Sequence, residues 1–456
     1  MTIRYSRDPT VNQSLKHSIK DGAAYAVMAG AGETYFSAFA LFLKASTAQI
    51  GFLASVPPLL SSLAQVLSAW IGHKTGKRKA IILTGAVLQG LVWLPLMFLP
   101  LLFPGQAVEL LIFCVIAYYA CGNFAALQWS SLMGDLVAER KRGRFFARRT
   151  RLSSITSFVS LVAAGLILHL FEQRDMTFIG YLLIFAVAFG ARMISVYHLA
   201  KMYDPPGHVA AMEVPTDSSW WRQLSQAPML RFSLFIALIQ FSVALASPFF
   251  SVYLLRDLEF SYLQFMICTA GSILIQFFTL NRWGKISDIF GNRLVMMVCG
   301  FTIPVIPFLW LLSSNFYYLV FTQIVSGFVW AGFSLSTCNF LYELIPPHKR
   351  ATYLALHNVM ANAGTFCGAM LGGFLGVILP KDVQFLFVDL HLTSNLLLVF
   401  FISFLLRGLT AVLFLPRFKD LRRVKPLTWT RLIFRVGRVN ALSGLVFDII
   451  GNRRKR

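Results

Sequence analysis

The 456 residues are 57% hydrophobic and only 13% charged, with a mean hydropathy of +0.67; a soluble protein of this length carries about twice that charge density. The net charge of +22 would suit a nucleic-acid partner, but it sits in the two tails and in loops on one side of the apolar runs, so membrane topology and attraction to lipid headgroups account for it and a nucleic-acid role is set aside. No phosphate loop, metal-ligand spacing or nucleophile–base pair is visible, so neither an ATP-driven motor nor an enzyme is expected, and no cofactor or metal.

The apolar runs give twelve predicted spans: 22–44, 49–72, 79–103, 107–134, 150–171, 176–202, 229–255, 261–284, 293–313, 315–342, 352–379 and 392–415. Each reaches the roughly 20 residues that cross a bilayer. The fold class is therefore an all-α polytopic membrane protein. Of the 41 Lys and Arg residues, Lys44, Arg174, Arg256 and Lys381 fall on one side, Arg192 and Arg407 lie well within spans, and all the rest share the other side. That bias puts both termini in the cytoplasm, in a plasma membrane (the inner membrane of a bacterium). The chain divides into a polar N-terminal tail, 1–21, without the apolar core of a signal peptide; a first bundle, 22–202; a linker, 203–228; a second bundle, 229–415; and a basic tail, 416–456.

Span 1 holds the most informative residue. Glu33 stands 12 residues after Asp21, about 18 Å further along a helix. Of nineteen acids it is the one placed near mid-membrane. An ionisable group at that depth is costly and marks a functional site by default. As water reaches it from either side it can exchange a proton, or it can hold a substrate cation. The competing assignments are an ion pair with Arg192 and a protonated carboxyl hydrogen-bonded between helices. Arg192 in span 6 and Arg407 in span 12 are expected to be structural, each able to snorkel toward the headgroups.

All six cysteines lie in spans, none with zinc or disulfide spacing. Trp220 and Trp221 in the linker suit the membrane interface. Span 11 carries Gly364, Gly368, Gly372 and Gly376, a stripe that lets another helix approach closely, for packing or for sliding. From Pro426 to Ile450, Trp429, Leu432, Ile433, Val436 and Val439 recur at helical spacing, with Arg431, Arg435 and Arg438 on a second face. That pattern suits a helix lying on anionic lipid, or one that binds a partner.

The chain also repeats itself. Gly76-Lys77-Arg78 matches Gly291-Asn292-Arg293 and Arg192 matches Arg407, both at an offset of 215. Tyr35-Phe36-Ser37 matches Phe249-Phe250-Ser251 at 214, and Asp135 with Arg142 matches Glu343 with Arg350 at 208. Four pairs in order make a duplicated six-helix unit. The acid at Glu33 does not follow the repeat, since Ser247 is its equivalent.

The loop between spans 8 and 9 reads Gly284-Lys-Ile-Ser-Asp288-Ile-Phe-Gly291-Asn-Arg293, and the loop between spans 2 and 3 carries a degraded copy with His73 in place of the acid. In this motif the sequence resembles the major facilitator superfamily, over residues 22–415. The resemblance implies two pseudo-symmetric six-helix bundles with a cavity between them, opening alternately to each side. It implies a cytoplasmic latch of acids and arginines: Asp288 and Arg293 with Glu343 and Arg350, and Asp135 with Arg78, Arg142 or Arg144. It puts the cavity on spans 1, 4, 7 and 10, with Tyr35, Asn123, Gln128, Trp129, Gln240, Phe249, Tyr253, Ser336 and Asn339 as candidate lining. Span 5 has no proline and so lacks the signature of the family's drug/proton antiporters.

The expected function is secondary active transport of a small molecule by a monomer, proton-coupled through Glu33, with anionic lipid at the tail. A uniporter or lipid-like flippase on the same scaffold, and a transporter-like sensor or assembly factor, stay open.

Overall fold

The computed structural model describes residues 8–137, 139–205, 228–345, 350–380, 382–385, 388–391 and 394–419; Trp220, Trp221 and the amphipathic tail lie outside them. Eleven helices among the described residues are long and apolar enough to cross a membrane. Span 1 makes the twelfth in two pieces, Pro9–Ala31 and Phe36–Phe42, joined by a 3-10 turn at Glu33–Tyr35. The first helix begins well before the predicted start of the span, at Pro9, because Asp8 caps it through Thr10 N (2.8 Å) and a proline suits the first helical position.

The packing repeats as the sequence does. Span 1 lies on spans 5 and 6, span 2 on span 4, and span 3 on spans 4 and 6. In the second half span 7 lies on spans 11 and 12, span 8 on span 10, and span 9 on spans 10 and 12. Between halves, span 2 meets span 11 and span 5 meets span 8. Exchanging the halves maps each pair onto another, as a pseudo-twofold axis requires. The described strands form a short antiparallel hairpin, Asp382–Phe385 with Val388–His391, between spans 11 and 12.

The glycine stripe of span 11 seats that helix on span 7. A Cβ at Gly368 would stand 2.1 Å from Phe241 O, and Gly364 and Gly372 meet Ala237 O and Leu245 O as closely. Those three contacts lie inside one half, whereas Gly376 of the stripe faces Thr47 of span 2 across the halves, where Gly373 also lies against Gly51 and Ala48.

The start of each half's second helix is also duplicated. Ser46 and Gln49 form a capping box on span 2 (3.2 and 2.9 Å), and Ser261 and Gln264 form one on span 8 (3.3 and 3.0 Å). Both are preceded by a non-glycine residue at positive φ, Lys44 at 62° and Glu259 at 52°.

Candidate functional site

Span 1 breaks where Glu33 sits. Gly32 N still donates to Met28 O (2.9 Å), but the next free carbonyl, Ala29 O, takes the Thr34 hydroxyl (3.1 Å). A backbone break inside a membrane protein survives only where its polar groups are satisfied locally. Gly32 is required here, since a Cβ would lie 2.3 Å from the Trp93 ring.

The Glu33 carboxylate accepts two phenol hydrogen bonds from span 4. Tyr118 Oη donates to Oε2 at 3.0 Å and Tyr119 Oη to Oε1 at 2.9 Å. Tyr118 is fixed by buried rings, Phe36 and Trp93, each 5.3 Å from it. Tyr119 is only half-buried, like Glu33 itself. Its backbone oxygen receives Asn123 Nδ2 (3.1 Å), and Asn123 Oδ1 receives Gln65 Nε2 from span 2 (2.7 Å). A half-buried carboxylate with one donor on each oxygen keeps lone pairs for a proton or a cation.

The sequence points to Glu33 and Asn123 here but misses both tyrosines. Which face of span 4 meets span 1 depends on a helix register that no single-chain motif encodes.

Of the other expected cavity residues, five are buried packing groups. Tyr35 donates to Leu161 O (2.7 Å), Gln128 to Ser68 O (2.8 Å) and Ser336 to Phe333 O (3.1 Å). Phe249 and Tyr253 lie in the core, Tyr253 against Trp310 and Phe400. Trp129 lies under the Arg149 guanidinium, 4.2 Å from its ring centre. Asn339 donates to Asn292 (3.3 Å), and Gln240 is half-buried on span 7.

The two arginines do not snorkel. Arg192 is 4% exposed and Arg407 1%. Arg192 donates to Ser195 Oγ (2.8 Å), which donates on to Asp21 Oδ1 (2.7 Å), and its guanidinium lies 5.2 Å from the Tyr25 ring. Arg149 bonds the other Asp21 oxygen (3.3 Å). Asp21 is therefore a second buried acid of span 1, because the helix starts earlier than its hydropathy indicates. Arg192 is engaged there, not with Glu33.

At the end carrying the basic loops, Arg78 bonds Asp135 (2.5 Å) and also Asp204 at the start of the linker (2.6 Å). In the second half Asn292 Nδ2 donates to Glu343 Oε1 (2.6 Å), and Arg293 Nε donates to Phe418 O (2.5 Å). Gly76 and Gly291 both adopt positive φ, 64° and 88°, where glycine is favoured. Gly284 lies 3.8 Å, measured from an added Cβ, from Leu335 of span 10. The side chains of Asp288, Arg142 and Arg350 lie outside the described set.

The opposite end carries polar contacts between the halves. Arg256 donates to Thr47 Oγ1 (2.9 Å), and Tyr262 N donates to Glu172 Oε2 (3.3 Å). They border a cavity of about 620 Å³ whose charged lining is Lys44, Glu172, Arg256 and Glu259.

The model of the MFS_1-like family matches residues 25–388. The chain belongs to that family. This member is a multi-pass membrane protein of the major facilitator type. It is 26% identical over 106 residues to the multi-drug resistance efflux pump PmrA of Streptococcus pneumoniae, a stretch covering 23% of this chain and 26% of the pump. It is 25% identical over 105 residues to the facilitated glucose transporter member 10 of solute carrier family 2 from Xenopus laevis, covering 23% and 18%. The matches thus span about a quarter or less of each relative's length.

The family fold recurs in solved structures. A point mutant of the nucleoside transporter NupG superposes with a TM-score of 0.67 at 16% identity, covering 89% of this chain and 100% of that one. The D-xylose–proton symporter superposes at 0.66 and 14%, covering 91% and 99%. A bacterial homologue of the human lysosomal transporter Spinster, inward-facing and occupied, superposes at 0.64 and 14%, covering 82% and 83%.

Proposed function

We propose that this chain is a secondary active transporter that moves a small molecule by alternating access, coupled to protons through Glu33, in a plasma membrane with both termini in the cytoplasm. The observation that carries this reading is the carboxylate at the break of span 1, held by Tyr118 and Tyr119. Such a group, half-buried at mid-bundle, exchanges protons with whichever side the cavity opens to. The cargoes for which the similar proteins are named (drugs, glucose, a nucleoside, D-xylose) differ too much to choose a substrate. A substrate cation is the second partner that the site suits, because the half-buried Tyr119 ring lies beside the carboxylate and aromatic faces attract cations.

The test is a thermal-shift ligand screen on purified protein at about pH 5.5 and 7.5, since a ligand that binds the native state raises its apparent stability. Glu33→Gln is run alongside. A hit whose pH dependence disappears in Glu33→Gln is the expected result. A hit indifferent to both pH and the substitution would make Glu33 structural and favour uniport or lipid flipping.

A further inference from the structure

His17 and His198 face each other near the basic end of the first bundle, on the seam of spans 1 and 6. Their Nδ1 atoms are 3.0 Å apart and their ring centres 5.2 Å apart. That centre separation is close to the greatest that a 3.0 Å nitrogen contact allows, so the two nitrogens meet head-on. Head-on nitrogens suit an N–H···N hydrogen bond. A shared metal ion would need them to converge on a third point, which this geometry does not offer.

A neutral imidazole has one N–H and one lone pair, so the contact needs one Nδ1 protonated and the other bare. A further proton on the pair goes to the bare Nε2 of the donor ring and leaves the bond intact. A second one places two N–H groups head to head and breaks it. The pair thus holds together with at most one positive charge.

One turn along each helix, Asp21 meets Ser195, so the histidines are the outermost tier of a polar seam that reaches inward to Arg192. The titratable and charged groups around the pair are Lys20 and Asp21 on span 1, Tyr197 and Lys201 on span 6, and Arg149 of span 5 through Asp21. Both lysines oppose further positive charge, and the one carboxylate is already shared by Ser195 and Arg149.

We propose that the His17–His198 contact is an acid-sensitive clasp that closes the seam of spans 1 and 6 near neutral pH and opens it in acid. Both rings are half-buried, so solvent protons reach them. Burial, then His198, Lys20 and Lys201, lowers the His17 pKa from its ordinary value. The sign follows: the folded clasp binds fewer protons than the open one, so its stability falls as pH drops below the ordinary histidine value of about 6.5. The inference stands apart from the role of Glu33.

The experiment is amide hydrogen exchange of the full-length protein at about pH 7.5 and 5, corrected for intrinsic rates, since histidine titrates between them. Peptides covering residues 9–21 and 195–203 are expected to lose protection about fivefold in acid, the worth of one hydrogen bond. In His17→Gln and in His198→Gln, which cannot take the second charge, that loss disappears. The same loss in both variants, or no loss in the unsubstituted protein, overturns the clasp. The unsubstituted measurement decides even if a variant folds poorly, and running it on Glu33→Gln separates it from proton coupling.

Discussion

Arg192 and Arg407 occupy equivalent places in the two halves, yet their surroundings oppose each other. Arg192 is linked through Ser195 to the buried carboxylate of Asp21. Arg407 has a single long bond, 3.4 Å to Val243 O, and that carbonyl already accepts Ala246 N and Ser247 N. Removing one member of a buried charge network leaves the others uncompensated, whereas removing a poorly paired buried charge relieves a desolvation cost. Arg192→Met is therefore expected to destabilise the purified protein by about 3 kcal/mol, while Arg407→Met is neutral or stabilising. Thermal unfolding of both variants checks this, and equal losses would contradict it. A similar argument applies to Arg78, 6% exposed and bonded to both Asp135 and Asp204. Arg78→Ala is expected to lower stability more than Asp204→Ala, because it breaks two ion pairs and not one.

Spans 2 and 8 begin with the same device, a serine cap answered by a glutamine three residues on. Ser46→Ala and Ser261→Ala should each cost about 1 kcal/mol. The sites are distant in sequence and in different halves, so the double variant should show the sum, read from unfolding midpoints. The Ser-x-x-Gln spacing was legible in the sequence at an offset of 215 and is a stronger mark of the repeat than several pairs that hydropathy brings forward. Span number, the duplicated plan and the Gly76 and Gly291 turns were legible for a related reason: each rests on local pattern. The start of span 1 was not, because residues 9–21 form a polar helix that hydropathy cannot extend, which hid the burial of Asp21. The partners of Glu33 were not legible either. Tyr118 and Tyr119 are adjacent in sequence, and only the rotation of span 4 against span 1 brings both hydroxyls to one carboxylate.

At the scale of the whole molecule, the two halves are tied at the end opposite the basic loops, the outer one on the proposed topology, by side chains of opposite sign reaching equivalent places. Arg256 of the second half bonds Thr47, the first residue of span 2, and Glu172 of the first half accepts from the amide of Tyr262, the first residue of span 8. The second contact also sets a carboxylate at the positive end of a helix dipole. Asp257 steadies Arg256 (2.8 Å) and is itself held by Ser394 (2.5 Å). On the proposed cycle, opening the outer face must break both ties. Hydrogen bonds to charged groups contribute about 1.5–3 kcal/mol each, so losing both should favour the outward-open state by about a hundredfold or more. The double variant Arg256→Ala, Glu172→Gln tests this with a reporter cysteine at Ala38, which is buried and borders the outer cavity. Labelling in intact cells with a membrane-impermeant maleimide should rise strongly over the Ala38→Cys parent, and each single variant should fall between them. If labelling does not change, the outer face is held by the glycine contact of Gly51 and Gly373, and bulkier residues there should open it where loss of the charges does not.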